Sequence, residues 1–186
     1  MPYHHGDLRR ALLDTALEAV GEQGPAALSL RDVARRAGVS HAAPTHHFRD
    51  KTALLTALAA EGWSLLADAL GEAAADGRDF AELGVAYVVF ATSHPAHFAV
   101  MRAPGLARGD DPDLVAAMER ARAQLRSGVR HFEAGSTRDA DTTALAAWSL
   151  VHGLAALILE GAVPPKPDAD VAALARAVTA RLRPPS

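Results

Sequence analysis

Apolar residues recur every three or four positions along almost the whole chain, and this helical period limits the fold more than any other feature. In the first segment, Leu8, Leu12, Ala16 and Val20 fall on one helix face, with Leu13 and Leu17 beside them. The β-branched and aromatic runs are short and none alternates cleanly, so we find no convincing β-strand. The pattern predicts an all-α chain of about nine helices.

Capping residues and chain breakers mark the expected helix boundaries. Ser29 and Asp32 have capping-box spacing, and Gly38 permits the left-handed backbone that ends a helix. Ser40 is expected to cap a third helix, and Asp50 a long fourth one. Further helices are predicted to begin near residues 79, 95, 112, 138 and 168.

Composition excludes several classes of protein. The chain has 186 residues, 49% of them hydrophobic, which is enough for a packed core, and it has no cysteine for disulfides or thiol chemistry. We expect a cytoplasmic protein, since there is no signal peptide and no window approaches eighteen uninterrupted apolar residues. The net charge is −3, so any affinity for nucleic acid must come from a local patch.

Residues 29–48 have the features of a helix-turn-helix, in which two short helices meet at a glycine-containing turn. Ala34 lets the helices approach, Val39 fills the small core between them, and Ser40 begins the helix that would enter a major groove. The alternative is that these are simply two packed helices. We favour a DNA-binding unit because many separate positions agree.

This stretch resembles the DNA-binding domain of TetR-type transcriptional repressors, and the match covers the first fifty residues. The residues that carry it are Ser29, Arg31, Asp32, Val33, Ala34, Ala37, Gly38, Val39, Ser40, His47, Phe48 and Lys51. The resemblance implies a three-helix DNA-binding domain over 1–50 and a ligand-binding and dimerisation domain over 51–186. One departure is Thr45, which stands where the family usually has tyrosine.

The resemblance and side-chain chemistry together assign roles in DNA binding. His41 and His46 would donate to base acceptors, and Ala42 would contact a thymine methyl group. His47 and Lys51 would meet phosphates. The full predicted set is Ser29, Arg31, Ser40, His41, Ala42, Ala43, Thr45, His46, His47 and Lys51.

The C-terminal helices carry a weaker signature, since Trp148, His152 and Gly153 resemble the WHG-type C-terminal domain of some of these regulators. The family implies a homodimer and a ligand cavity there. The dimerisation candidates are Ala144, Ala147, Trp148, Val151, Leu154, Val171, Leu174, Ala175 and Val178. The ligand-binding candidates are Trp63, Leu66, Tyr87, Phe90, His94, Phe98, Met101, Met118 and His152, although each alone is better explained by core packing.

These features predict a ligand-responsive regulator that represses transcription as a homodimer on a pseudo-palindromic operator. An apolar or aromatic effector would release it from double-stranded DNA, although activation remains an alternative to repression. We expect no cofactor, no metal and no membrane partner.

Three other functions were weighed. A metal site is disfavoured because close histidine pairs such as His94 and His97 have no third ligand at metal-binding spacing. An enzyme is disfavoured because no nucleophile–base pair, paired carboxylates or phosphate-binding glycine loop stands out. A sensor or scaffold that has lost DNA binding remains open because of Thr45.

Overall fold

The computed structural model describes residues 5–75, 80–133, 139–163 and 170–181, and the regular structure in these ranges is entirely helical. The prediction of an all-α chain with about nine helices is therefore confirmed. The helices are α1 (His5–Gln23), α2 (Leu30–Arg36), α3 (Ala43–His47), α4 (Lys51–Ala75), α5 (Phe80–Ser93), α6 (Pro95–Met101), α7 (Pro112–Phe132), α8 (Ala140–Leu159) and α9 (Val171–Thr179).

The helices form two compact units. One comprises Met1–Trp63 and Pro95–Ala116, and the other comprises Ser64–His94 and Ala117–Ser186. Helix α4 runs through residue 63 without a break, so the first unit holds the first half of α4 as well as α1 to α3. A functional boundary after residue 50 remains a prediction.

In the first unit, α1 packs against α2, α3 and α6. Leu12, Leu54 and Leu58 are completely buried, and each buried leucine contributes roughly 1.5–3 kcal/mol of apolar transfer free energy. A polar chain links three helices of this unit. Arg10 Nη1 donates to Glu61 Oε2 at 2.7 Å, and Glu61 Oε1 lies 3.3 Å from His97 Nε2.

In the second unit, α5 packs against both α8 and α9. Gly84 permits the close approach, because an added Cβ there would lie 2.7 Å from Thr179 Cγ2 and 2.9 Å from Val151 Cγ1. Ala155 and Ala175 are completely buried in the same layer. Small side chains at these positions therefore set the spacing of the three helices.

The third helix begins later than the sequence predicted. Ser40 was expected to be its N-cap, but the cap residue is Ala42, which forms no side-chain cap bond. A helix capped by Ser40 would need the N–H of residue 44 to bond with the Ser40 carbonyl, and Pro44 has no N–H. A turn in which Ala43 N donates to Ser40 O at 3.0 Å comes first, and the helix then starts with proline in its first turn.

Two of the described helices, Lys51–Ala75 and Ala140–Leu159, are long and apolar enough to cross a membrane by length and composition, with mean hydropathies of 1.3 and 1.7. The sequence prediction excluded such segments because it counted only uninterrupted apolar residues. It was too strict, since charged residues such as Glu61 and Asp68 interrupt α4 without lowering its mean hydropathy enough. In α4, half of the 18-residue segment with this mean hydropathy is buried within the protein itself.

Candidate functional site

Helices α2 and α3 form the helix-turn-helix, which local interactions hold in place. Ser29 caps α2, because its Oγ accepts the Asp32 backbone N–H at 3.1 Å. Gly38 ends the helix at a φ of +67°, a conformation that costs a residue with a Cβ roughly 1–2 kcal/mol. Val33 and Phe48 are buried beneath the motif. The capping and turn predictions for Ser29 and Gly38 are confirmed.

The second short helix and the turn before it present a small exposed surface, which we call the reading face and define as His41, Ala42, Thr45 and His46. All four residues are exposed, whereas Pro44 and Phe48 on the opposite side of the segment are buried. The Thr45 hydroxyl donates to the Ala42 carbonyl at 2.7 Å, so it partly satisfies its own helix. Of the other predicted DNA contacts, Ser29, Arg31 and Ser40 are exposed, and Ala43 and His47 are half-buried.

Acidic residues pair with two of the arginines of α2. Asp32 accepts from Arg35 and from Arg36, both at 2.6 Å, and Arg36 also donates to Glu22 at 2.7 Å. The pKa of Asp32 lies below its ordinary value, first because of the hydrogen bond from Arg35 and then because of that from Arg36. Among the described residues, Arg31 forms no ion pair and is the arginine of α2 most available to phosphate.

Lys51, a predicted phosphate contact, already has a partner. Its Nζ donates to the backbone carbonyl of Ala26 at 2.5 Å, which ties the start of α4 to the loop before α2. The adjacent Asp50 caps α4 as predicted, accepting the Ala53 N–H at 2.8 Å. A phosphate bound by Lys51 would have to share its ammonium group with Ala26.

The predicted ligand-binding residues do not converge on one described cavity. Trp63, Phe98 and Met101 belong to the first compact unit and the other six belong to the second. Only Phe90 and His94 line a groove of about 380 Å³ between α4 and α5. The remaining residues of the groove, which the sequence did not single out, are Leu65, Ala69, Glu72, Ala73, Ala86, Val89 and Ser93.

A signal for this groove was present in the sequence. Residues 65, 69, 72 and 73 fall on one face of α4 at helical spacing, and 86, 89, 90 and 93 do so on α5. Glu72 is thus a carboxylate placed on a mostly apolar face. The search for bulky and aromatic residues missed it, because alanines, which leave space, form much of the lining.

Tyr87 and His152, two other ligand candidates, bond with each other. The Tyr87 hydroxyl lies 2.8 Å from His152 Nδ1, which joins α5 to α8. The Trp148 ring packs beside His152 with a centroid distance of 5.3 Å. Leu66 is buried and Met118 is half-buried in the same unit. Trp148 and His152 therefore lie on one face of α8, as residues four positions apart on a helix do.

The predicted dimerisation residues divide between two faces. Ala147, Val151, Leu154 and Ala175 are buried within the second unit. Trp148 is 43% exposed. Ala144, Val171, Leu174 and Val178 are half-buried. The outer apolar face of α8, defined here as Leu145, Trp148 and Leu159, includes one predicted residue and two that sequence reasoning missed, and Leu157 is exposed on another side of the helix.

Within the described parts of the chain, no group of three or more histidine, cysteine, aspartate or glutamate side chains is arranged to hold a metal ion. His94, one member of the histidine pair weighed as a metal site, instead stacks on Phe90, with ring centroids 5.0 Å apart. His97 faces Glu61.

Comparison with known proteins adds independent information. The family model for bacterial regulatory proteins of the tetR family matches residues 12–58, and the model for the tetracyclin repressor-like C-terminal domain matches residues 80–182. The HTH-type transcriptional regulator BetI of Escherichia coli is 45% identical over 62 residues. That match spans 33% of this chain and 32% of BetI, so the chain covers about a third of this curated relative.

Solved structures match along nearly the whole chain. A protein of unknown function from Rhodococcus sp. RHA1 is 38% identical with a TM-score of 0.77, covering 96% of this chain and 95% of that one. The TetR family transcriptional regulator PfmR from Thermus thermophilus has the same fold, with a TM-score of 0.69 at 22% identity, covering 90% of this chain and 94% of that one. Because the two family models together match most of the chain, it belongs to the tetR family of bacterial regulatory proteins.

Proposed function

We propose that this chain is a DNA-binding transcription regulator that represses as a homodimer and leaves its operator when a small molecule binds. The observation that carries the proposal is the reading face, four exposed residues on a short helix and the turn before it, in a motif held by Ser29, Gly38 and Phe48. An exposed second helix of a helix-turn-helix is the element that enters the major groove. Membership of the tetR family supports the same role.

The chemistry of the reading face suits direct base readout. Imidazole N–H groups can donate to purine N7 and O6 acceptors, and the Ala42 methyl can pack on a thymine methyl. Arg31, which has no ion pair within the described ranges, supplies a cation for the phosphate backbone. Because one such helix reads few base pairs, specificity requires two copies and therefore a pseudo-palindromic operator.

The outer apolar face of α8 supports dimerisation. Leu145 is 58% exposed and Trp148, one turn further along the helix, is 43% exposed. Only 22% of the most apolar 18-residue segment of α8 is buried. Large apolar side chains that stay exposed on one helix face are typical of an interface. A second copy covering this face would also account for the mean hydropathy of α8 in a cytoplasmic protein, with no membrane partner needed.

Release by ligand is the finer part of the proposal. The groove between α4 and α5 provides a site in the second compact unit, while α4 also belongs to the first. By linkage, a ligand that weakens operator binding must itself bind more weakly to the DNA-bound protein, and by the same factor.

Trp148, His152 and Gly153 would place the C-terminal domain in the WHG subtype.

DNA binding can be tested by selecting sequences from a random double-stranded library with the full chain and measuring their affinity by fluorescence anisotropy. His46→Ala should weaken binding to the selected sequence at least about fivefold, since each well-formed base contact contributes about 1–3 kcal/mol. His131→Ala is the matched control, because His131 is an exposed histidine on α7 outside the motif. A folded dimer that enriches no sequence, even at low salt, would refute the proposal.

A further inference from the structure

The groove between α4 and α5 has the size of a small-molecule site. Its volume of about 380 Å³ lies within the usual range for ligand pockets. At about 30 Å³ for each non-hydrogen atom, comparable to a water molecule in the liquid, it holds about a dozen such atoms. All nine lining residues belong to the second compact unit, so the groove is formed within one unit.

The walls of the groove are mostly apolar. Ala69, Ala73 and Ala86 leave the space open, while Leu65 and Val89 supply larger aliphatic surfaces. One wall is aromatic, since the ring of His94 stacks on Phe90 at an interplanar angle of 20°. Stacked flat rings of this kind attract either another flat group or a cation over their faces.

The only permanently charged side chain that lines the groove among the described residues is a carboxylate. Glu72 brings an exposed carboxylate to the mouth, and Ser93 adds a hydroxyl. Among the described lining residues there is no lysine or arginine, and Glu72 forms no ion pair within the described parts of the chain. The groove therefore complements a cation with an apolar body and disfavours a carboxylate or phosphate at the same position.

From this placement we propose that the groove binds an apolar amine, with its ammonium group beside Glu72 and its hydrocarbon body between Leu65 and Val89. The inference rests on the proposed function, because it names the chemical class of the effector. It differs from the aromatic or apolar effector expected from sequence in requiring one positive charge.

The test compares three probes of about equal length and different head groups, n-decylamine, 1-decanol and decanoate, by isothermal titration of the full chain at concentrations below their aggregation. The amine should bind most tightly and decanoate most weakly. Glu72→Gln should weaken the amine about two- to fivefold, as removal of one exposed ion pair does, and leave the alcohol unchanged. Asp113→Asn, an exposed carboxylate on α7, is the matched control and should change neither.

Two filling variants locate the site. Ala69→Phe and Ala73→Leu occupy the groove with side chain, so each should weaken all three probes at least tenfold while the helical circular dichroism stays unchanged. Unchanged probe affinity in both filled variants would overturn the site. The proposed ligand class would be wrong if Glu72→Gln left the ratio of amine affinity to alcohol affinity unchanged, or if no probe bound. Anisotropy with selected DNA on the same preparations separates the two proposals, since DNA binding without amine binding refutes only the present inference.

Discussion

Replacing Gly38 with alanine tests whether the turn of the helix-turn-helix depends on backbone conformation alone. A Cβ at this position meets no atom within 4 Å, so the substitution introduces no clash. Its cost comes only from the φ of +67°, which penalises an alanine by roughly 1–2 kcal/mol. Alanine also lowers the conformational entropy of the unfolded chain, which offsets about 0.4–1 kcal/mol of this cost. The net expectation is destabilisation by about 0.5–1.5 kcal/mol.

Gly21→Ala is the matched comparison in the same compact unit. Gly21 also has open space around an added Cβ, but it lies within α1, where φ is helical. Alanine there should stabilise by roughly 0.5–1 kcal/mol, because glycine is a poor helix former. The two substitutions have the same chemistry and comparable space, so only the backbone angle distinguishes their signs.

Thermal unfolding of the full chain, at one fixed protein concentration, gives the measurement. With about 2–4 °C for each kcal/mol at this size, Gly38→Ala should lower Tm by roughly 1–6 °C and Gly21→Ala should raise it by roughly 1–4 °C. The fixed concentration removes the contribution of subunit association. Equal Tm values for the two variants would refute the conformational argument, and Gly38→Asn, which tolerates this region better, should fall between wild type and Gly38→Ala.

Three further outcomes follow from contacts in the structure. Gly84→Ala should lower the free energy of unfolding by about 1–2 kcal/mol in chemical denaturation, because the added methyl group meets the stiff β-branched side chains of Thr179 and Val151. Adding Val151→Ala to the same chain should recover part of that loss, and free-energy changes that simply add in the double variant would contradict this packing. Tyr87→Phe should cost about 0.5–1.5 kcal/mol, since it removes the bond to His152, and an unchanged Tm would contradict a role for that bond. The pKa of Asp50 is lowered first by the Ala53 N–H and then by Arg108. The Asp50 carboxylate therefore stabilises the fold above the ordinary carboxyl pKa of about 3.9, and this stabilisation is lost as the pH falls through the lowered pKa. Asp50→Asn should flatten the acid side of a plot of unfolding free energy against pH.

Local signals predicted much of the fold. Helical period, caps and chain breakers together predicted each helix of the described ranges, and the caps at Ser29 and Asp50 and the turn at Gly38 followed from chemistry within a few residues of each position. The start of α3 failed for a reason that is equally local, because the missing N–H of Pro44 removes the bond that a cap at Ser40 would need. Such a conflict between two local rules can be recognised in a sequence when the hydrogen bonds of the first turn are counted.

Properties that depend on the packing partner were not predictable in the same way. Helix α8 is apolar on two sides, with Val151 buried in its own unit and Leu145 exposed. Periodicity identifies both faces but does not say which one the monomer covers, because that depends on where α5 and α9 lie. The groove could not be predicted for the same reason, since Glu72 lines a ligand-sized space only because α5 lies beside α4.

If the chain binds its operator as the proposed dimer, DNA binding by the reading face depends on the outer apolar face of α8. Asp32 and Glu22 neutralise Arg35 and Arg36, so the described residues of one motif offer few unpaired cations to phosphate. Affinity from phosphate contacts scales with their number, and so does its loss with rising salt. We therefore expect a single copy to bind DNA weakly, and the proposed dimer to supply the second reading face that specificity needs. Substitutions that charge the outer face of α8, such as Leu145→Glu, should consequently weaken operator binding as strongly as changes in the reading face, without touching DNA.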